Sequence, residues 1–329
     1  MSPIPVPGPT GLGLMGLTWR EKSTPDDQAF AVLSAAIDNG VVFWSTAEFY
    51  GMPDPTEGLQ LVRRYFEAHP ENKDKVTLFV KGCSDLKTMA PTNTRDGVRQ
   101  SAANCLAVLG GAKSIDVFGP TRMDPSVPLM ETMTALRELV DEGKIGGTGL
   151  SEIGAATLEK AHAIAPLSLV EVEFSLWSTE ILNNDVASTA KRLDVPIIAY
   201  SPLGRGFLTG QIRSPSDIPA GDIRLYLDRF QPENFNKNLE LVEKLQQAAS
   251  RKHVTPAQLA LSWVRAHANT SGVGAVVPIP GATVASRVEE NTKVVELSAE
   301  EKTELDNIIG SFSVQGGRYN DMLEGTLWG

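Results

Sequence analysis

The sequence has little material for metal or disulfide chemistry. Its 329 residues include two cysteines and four histidines. The spacing of Cys83 and Cys105 is typical of neither a zinc site nor a redox dithiol, and the histidines are scattered along the chain. We therefore expect free thiols and no metal centre.

Basic residues and long apolar runs are also scarce. The chain has 30 Lys plus Arg against 40 Asp plus Glu, a formal net charge of −10, which opposes binding to nucleic acid or to an anionic membrane surface. No apolar run approaches the roughly 20 residues of a membrane-spanning helix. The N-terminal stretch MSPIPVPGPTGLGLMG lacks the order of residues of a secretory signal. These features predict a cytoplasmic protein.

Short apolar runs rich in β-branched residues alternate with helical patterns. Because the runs are nearly continuous, they are typical of parallel strands buried on both faces. No break in composition divides the chain, so the alternation predicts one α/β domain over residues 1–329, a (β/α)₈ TIM barrel. The eight predicted strands are Thr10–Leu14, Val41–Ser45, Val76–Lys81, Ser114–Gly119, Gly146–Leu150, Leu169–Phe174, Pro196–Tyr200 and Ala275–Pro278.

Most intervals between the strands have apolar residues at helical spacing. The spacing of Ser298 and Glu301 predicts a capping box at the last of these helices. An excursion over about 204–270 and a tail over about 311–329 are expected near the active-site face. The predicted helices are Asp26–Asn39, Thr94–Leu109, Pro128–Glu142, Ala155–Ala165, Asn184–Leu193, Pro232–Arg251, Pro256–Ala268, Ala285–Asn291 and Ser298–Ile309.

A doubly wound open sheet with a dinucleotide-binding turn is the alternative fold. The stretch GPTGLGLMGLTW has the glycines of such a turn. Pro9, Trp19 and Pro25, however, interrupt the region where the following helix would begin. The barrel is therefore the favoured fold.

Lys81, at the end of the third predicted strand, is the strongest candidate for chemistry. Catalytic groups of such barrels lie at the carboxyl ends of strands, and a buried ammonium is costly without a partner or a task. It could form a Schiff base with a carbonyl substrate, or lower the pKa of a neighbouring tyrosine so that the phenol donates a proton. Snorkelling to solvent is the structural alternative. Tyr50, just after the second strand, is the candidate partner.

Six strings in this order resemble the aldo-keto reductases over nearly the whole chain: VVFWSTAEFYG, LFVKG, GTGLSE, VEVEFSLWS, IIAYSPLGRGFLTG and VPIPGATVASRVEEN. Within that family GLGLMGLTWR, YLDRFQPENFNKNL and RYNDMLEGTL most resemble the fungal pyridoxal reductases. The resemblance implies a barrel that binds NADPH and reduces an aldehyde by direct hydride transfer, with pyridoxal as the expected substrate. A general aldehyde or ketone reductase, or an NADPH-binding regulatory subunit, are the alternatives, and a Schiff-base aldolase ranks below them.

The resemblance also implies four catalytic positions. Tyr50 and Lys81 match the family, whereas Ser45 stands at its aspartate position and Thr121 at its histidine position. Tyr50 is then the expected proton donor. Without that aspartate, Lys81 needs other acceptors, such as Ser45 and backbone carbonyls, and its pKa would fall. A charged Lys81 with no opposing carboxylate would instead lower the pKa of Tyr50 more strongly, and the sequence does not rank these two effects.

The cofactor positions follow from the same strings. Tyr200 is expected against the nicotinamide, Ser151 near its carboxamide and Arg287 on the 2′-phosphate. The other implied positions are Met15, Gly16, Glu152, Glu171, Ser201, Leu203, Arg205, Gly281, Thr283, Glu290 and Asn291. Two of them depart from the family, which has amides where Glu152 and Glu171 stand, and Glu171 could instead be a protonated or paired acid with a structural role.

Substrate contacts are expected from aromatic residues. Trp19 and Phe49, with Tyr50, could form a wall for a flat ring, and the tail with Arg318, Tyr319 and Trp328 could close over it. Core packing of these rings is the alternative. The expected partner is a small-molecule aldehyde, and the sequence does not specify an oligomeric state.

Overall fold

The strands of this protein form a closed parallel barrel. The computed structural model describes residues 3–320 and 324–329, so residues 321–323 of the expected tail lie outside it. Eight strands pair in parallel in chain order. A parallel bridge between Gly13 and Gly281 joins the first strand to the segment after the last one. The strands are β1 Leu12–Gly13, β2 Phe43–Ala47, β3 Thr77–Gly82, β4 Val117–Pro120, β5 Gly147–Ser151, β6 Leu167–Glu173, β7 Ile197–Tyr200 and β8 Val276–Pro278.

Helices alternate with these strands and surround the barrel. In the described part of the chain none is long and apolar enough to cross a membrane. The α-helices are α1 Met15–Thr18, α2 Asp26–Asp38, α3 Glu57–Ala68, α4 Arg95–Leu109, α5 Leu129–Asp141, α6 Ala155–Ile164, α7 Val186–Arg192, α8 Pro232–Lys252, α9 Pro256–Arg265, α10 Ala285–Thr292 and α11 Ala299–Gly310. Short 3₁₀ helices span Pro70–Asn72, Glu180–Leu182, Gly204–Thr209, Pro215–Asp217, Ile223–Tyr226 and Asp228–Phe230.

The eight strands and the barrel fold predicted from the sequence are confirmed. The first strand is shorter than predicted, because only Leu12–Gly13 pairs with β2. The capping box is present: the Ser298 hydroxyl accepts from the Glu301 amide, and the Glu301 carboxylate accepts from the Ser298 amide. Helix α3 was not predicted.

Two apolar cores hold the barrel together. The larger one fills the space between strands and helices. The smaller one lies inside the barrel and consists of Phe43, Phe79, Val117, Leu169, Ile198, Val277 and Ile279. Ile4 and Val6, from the N-terminal segment, pack against it, and the Ile4 amide donates to the Ser168 hydroxyl at 2.9 Å. The N-terminal segment therefore closes one end of the barrel with apolar side chains.

The pleat of the strands places polar residues directly above this inner layer. Residues two apart on a strand face the same side. Phe43, Phe79 and Leu169 of the apolar layer are therefore followed on the same face by Ser45, Lys81 and Glu171. Because the strands are parallel, these three polar residues lie together, one step closer to the carboxyl ends.

Candidate active site

Three of these side chains form a closed set of contacts inside the barrel. The Lys81 ammonium donates to the Ser45 hydroxyl at 2.6 Å and pairs with the Glu171 carboxylate at 2.8 Å. The Ser45 hydroxyl in turn donates to the other Glu171 oxygen at 2.6 Å. Lys81 and Glu171 are each 3% exposed and Ser45 is 1% exposed. Together with Tyr50 they are called the inner cluster below.

The inner cluster corrects one expectation about Lys81. Ser45 is an acceptor for Lys81, as expected, but the ammonium also has a carboxylate partner, which comes from β6. Burial lowers the pKa of Lys81, whereas Glu171 and Tyr50 raise it, and the pKa lies above its ordinary value. The fall in this pKa, one of the two effects that the sequence left unranked, is therefore wrong, and so is the premise of the other effect, that no carboxylate opposes Lys81. Lys81 is charged at neutral pH.

Tyr50 completes the inner cluster from the loop after β2. The Lys81 nitrogen lies 5.4 Å from the centroid of its ring. Burial raises the pKa of Tyr50, Lys81 lowers it and Glu171 raises it, so that the pKa lies above its ordinary value of 10.0. The phenol therefore holds its proton at neutral pH while it contacts a cation that stabilises the phenolate.

The three aromatic residues expected near the substrate do meet. Trp19 stacks on Tyr50 with ring centroids 5.4 Å apart. Phe49 lies edge-on to Tyr50 at 5.4 Å and to Trp19 at 5.7 Å. Phe49 is buried, whereas Trp19 is half-buried. Tyr50 is half-buried as well, so Trp19 and Tyr50 are the rings of this group that keep surface open for a ligand.

Thr121, at the expected histidine position, is engaged by the backbone. Both its amide and its hydroxyl donate to the Gly82 carbonyl, at 3.0 and 3.2 Å. A neutral hydroxyl held in this way does not supply a charged acid. The phenol of Tyr50, by contrast, has the Lys81 ammonium beside it.

A second charged group lies where the tail meets the strand ends. The outer cluster consists of Arg122, Glu152, Glu173, Tyr200, Arg205, Arg318 and Tyr319. Arg318 pairs with Glu152 at 2.7 Å and with Glu173 at 3.1 Å, and it donates to the Tyr200 hydroxyl at 3.2 Å. Arg318 is 5% exposed and Glu152 is fully buried. The tail is therefore anchored to the ends of β5, β6 and β7.

The hydroxyl of Tyr319 contacts the remaining members of the outer cluster. Its hydroxyl accepts from Arg205 at 2.9 Å and from Arg122 at 3.2 Å, and lies 3.1 Å from the hydroxyl of Tyr200. The Arg318 guanidinium lies 6.0 Å from its ring centroid, so three guanidinium groups surround this phenol. Sequence analysis named Arg318 and Tyr319 but missed Arg122 and Glu173. Glu173 carried a signal, because it is a second acid two residues from Glu171 on a strand that is otherwise apolar except for Ser168.

Arginines also control the charge of Glu173. Its burial raises the pKa, but Arg318, Arg205 and Arg229 lower it more, and the pKa lies below the ordinary 4.5. Burial raises the pKa of Tyr200 well above its ordinary value. Glu173 is therefore an anion at neutral pH and Tyr200 a neutral phenol.

Five of the expected cofactor residues line one cavity of about 240 Å³. They are Leu203, Gly281, Arg287, Glu290 and Asn291. The cavity wall also contains residues that sequence analysis did not name: Thr209, Gln211, Thr255, Pro256 and Ala257. Arg287 donates to Gln211 at 2.7 Å. A guanidinium, an amide and hydroxyl groups around a glycine suit a phosphate-bearing ligand such as a dinucleotide.

The other expected cofactor residues lie in three places in the fold. Met15 and Gly16 belong to α1, where a Cβ added to Gly16 would lie 4.0 Å from the Thr283 methyl group. Ser151 is the register partner of Glu171 across β5 and β6. Ser201 and Arg205 follow β7, and both have a positive φ, 48° and 55°. In the ranges 3–320 and 324–329 no group of three or more His, Cys, Asp or Glu is arranged to hold a metal ion.

Comparison with known proteins identifies the family of this chain. The family model described as "Aldo/keto reductase family" matches residues 9–309. The chain is 40% identical to the "Probable pyridoxal reductase 2" of Schizosaccharomyces pombe, over 97% of both chains. It is 38% identical to the "Putative pyridoxal reductase" of Saccharomyces cerevisiae, over 94% of this chain and 95% of the other.

Among solved structures, the glycerol dehydrogenase AKR11B4 from Gluconobacter oxydans has the same fold. It superposes with a TM-score of 0.79 at 23% identity, over 94% of each chain. The family match covers most of the barrel, and both relatives are matched over nearly their whole length. The chain therefore belongs to the aldo/keto reductase family, whose members are oxidoreductases that use NAD(P)H.

Proposed function

We propose that this protein reduces pyridoxal to pyridoxine with NADPH. The observation that carries the proposal is the contact of a protonated Tyr50 with the charged Lys81, beside the half-buried ring of Trp19. Two relatives at 40% and 38% identity bear the name pyridoxal reductase. A flat heteroaromatic aldehyde matches both the aromatic wall and the acid.

In the proposed reaction Tyr50 is the acid. Bound NADPH supplies the hydride that reduces the carbonyl carbon. Tyr50 donates its phenolic proton to the carbonyl oxygen, and Lys81 stabilises the negative charge that develops on the phenol. Trp19 holds the substrate ring, so that the aldehyde lies at Tyr50.

The preference for NADPH rests on the cavity that contains Arg287. We assign the 2′-phosphate to Arg287 and the adenine to Glu290 and Asn291, since the three residues share one cavity wall. Tyr200 and Ser151 are assigned to the nicotinamide end. In a cytoplasm with a high ratio of NADPH to NADP⁺, reduction is the expected direction.

The test measures cofactor oxidation by the wild type, Tyr50→Phe and Thr121→Ala. Each protein is assayed with pyridoxal and a panel of simple aromatic aldehydes, with NADPH and with NADH. Loss of the general acid should lower kcat by about 10²–10⁴-fold, while the Kd for NADPH stays within about twofold. Thr121→Ala, which loses a hydroxyl donated to a backbone carbonyl, is the matched control and should lower kcat by less than about tenfold.

The outcomes separate the candidate functions. Selective, tyrosine-dependent turnover of pyridoxal supports the proposal, and equal turnover of all aldehydes indicates a general reductase. Tight NADPH binding without turnover would favour a regulatory subunit. That alternative is retained because Thr121, which stands at the family's histidine position, donates its hydroxyl to a backbone carbonyl. Substantial turnover by Tyr50→Phe would overturn the assignment of the acid.

A further inference from the structure

The carboxylate that neutralises Lys81 comes from a strand that is not adjacent to its own. Lys81 lies on β3 and Glu171 on β6, and the two meet because both side chains point into the barrel. Ser45, on β2, connects them through two hydrogen bonds of 2.6 Å. Since the ammonium has only protons to give, the Ser45 oxygen accepts from Lys81 and its proton goes to Glu171.

In this geometry both carboxylate oxygens of Glu171 contact the inner cluster, one at Lys81 and the other at Ser45. One oxygen pairs with the ammonium at 2.8 Å, and the other accepts from Ser45 at 2.6 Å. The amide that the family resemblance implies at this position would bind the cofactor carboxamide. A buried carboxylate beside a buried ammonium has a different effect, because it fixes the position and the charge of the cation.

We propose that Glu171 is a positioning residue for the reduction: it keeps Lys81 charged and directed at Tyr50, with Ser45 as the bridge. This inference rests on the proposed function. Glu171 acts through Lys81, and Lys81 acts on the reacting phenol.

The charges around Tyr50 fix the direction of the expected effect. Lys81 faces it from β3, Glu171 from β6 and Tyr319 from the tail. The negative charge of Glu171 raises the pKa of both Tyr50 and Lys81. Removal of this charge therefore lowers both pKa values, and the basic limb of the kcat–pH profile moves to lower pH.

The primary variant is Glu171→Gln, which keeps the size of the side chain and removes its charge. We expect the basic limb to move down by about one pH unit or more, which is about a tenfold loss of kcat at a pH on that limb. The control is Glu48→Gln. Glu48 is also buried, but it accepts from the neutral Ser101 and Asn104, and its variant should keep the wild-type limb.

A second variant restores a negative charge beside Lys81, from β2 instead of β6. Ser45→Asp combined with Glu171→Gln places a carboxylate on β2, where the Ser45 oxygen already contacts Lys81. The double variant should restore the limb to within about a few tenths of a pH unit of wild type, because the ammonium regains one buried anion. It also keeps the inference testable if Glu171→Gln does not fold, because the wild-type limb in the double variant is then the expected result.

A folded Glu171→Gln with wild-type kcat and limb would overturn the inference. An equal shift in Glu48→Gln would do so as well, because the effect would not be specific to Lys81. A folded double variant with no rescue would show that charge alone is not what Glu171 supplies, and would also count against it.

A spectroscopic titration separates this inference from the proposed function. Tyrosinate absorbance, taken as the difference between each protein and its Tyr50→Phe counterpart, reports the Tyr50 pKa without turnover. We expect a lower pKa in Glu171→Gln and recovery in the double variant. If the wild type reduces no aldehyde, the proposed function fails, while this titration still supports or overturns the link between Glu171, Lys81 and Tyr50.

Discussion

The inner and outer clusters solve the problem of buried charge in different ways. The inner cluster balances one lysine with one glutamate, and its charged groups stand on strands whose register the barrel fixes. The outer cluster has three guanidinium groups around two carboxylates, and one of those arginines belongs to the tail. The first arrangement is therefore present whenever the barrel is closed. The second depends in addition on the docking of a distant segment.

The largest expected effect is that of Lys81→Met on the inner cluster. The variant removes the cation that assists Tyr50, so kcat should fall by about 10²–10⁴-fold. It also leaves Glu171 without its ion pair, which should lower the free energy of unfolding by about 3–5 kcal/mol. Cofactor oxidation and urea unfolding measure the two effects.

The double variant Lys81→Met, Glu171→Gln separates stability from activity. It removes both charges and should regain much of the lost stability, because no buried ion is left unpaired. Activity should stay low. Recovery of turnover in the double variant would mean that the inner cluster serves stability alone.

Arg318→Met should affect stability more than chemistry. It leaves Glu152 and Glu173 buried without Arg318, which should cost about 3 kcal/mol in the free energy of unfolding, while kcat changes by less than about tenfold. Arg63→Met is the control, since Arg63 forms an exposed pair with Glu67, and such pairs contribute about 0–1 kcal/mol. If Arg318→Met lost activity as completely as Lys81→Met, the two clusters would not be separable.

The smallest expected effect is the acid dependence of stability. The pKa of Glu173 is lowered in the folded protein, so its stabilising contribution is complete above its unfolded pKa and is lost as the pH falls through the folded value. In Arg318→Met, less positive charge opposes the effect of burial on the pKa of Glu173. The slope of stability against pH in the acid range should therefore decrease or reverse. The urea midpoint as a function of pH, measured for wild type and Arg318→Met, tests this. Identical slopes would show that Arg318 does not set the ionisation of Glu173.

The contact between side chains on adjacent strands was predicted from the sequence, whereas the contact across the interior of the closed barrel was not. The strands themselves were predictable because each is a nearly continuous apolar run. Ser45 and Lys81 lie on the neighbouring strands β2 and β3, and their contact was expected. Glu171 reaches Lys81 across the barrel interior, from a strand three positions away in the sheet order. A sequence without a known register does not specify such a contact.

Several residues of the outer cluster and of the cofactor cavity were missed for the same reason, because their contacts join residues that are distant in the sequence. Arg122 follows the expected residue Thr121 in the sequence. It belongs to the outer cluster because it donates a hydrogen bond to the hydroxyl of Tyr319, which is 197 residues away. Helix α3 is a different case, because its buried Leu59, Val62 and Phe66 already have helical spacing. That helix could have been predicted, whereas the contact of Arg122 with Tyr319 depends on how the tail docks.

Under the proposed function, the apolar closure of the barrel by Ile4 and Val6 also limits the routes by which Tyr50 regains its proton. With that end filled by the inner apolar layer, a chain of water molecules has no polar route to the phenol from below. Under the proposed function, each proton consumed in turnover must then enter from the carboxyl ends of the strands, where Arg318 and Tyr319 lie. Reprotonation of the acid and release of the proposed alcohol product would then take place at the same end of the barrel.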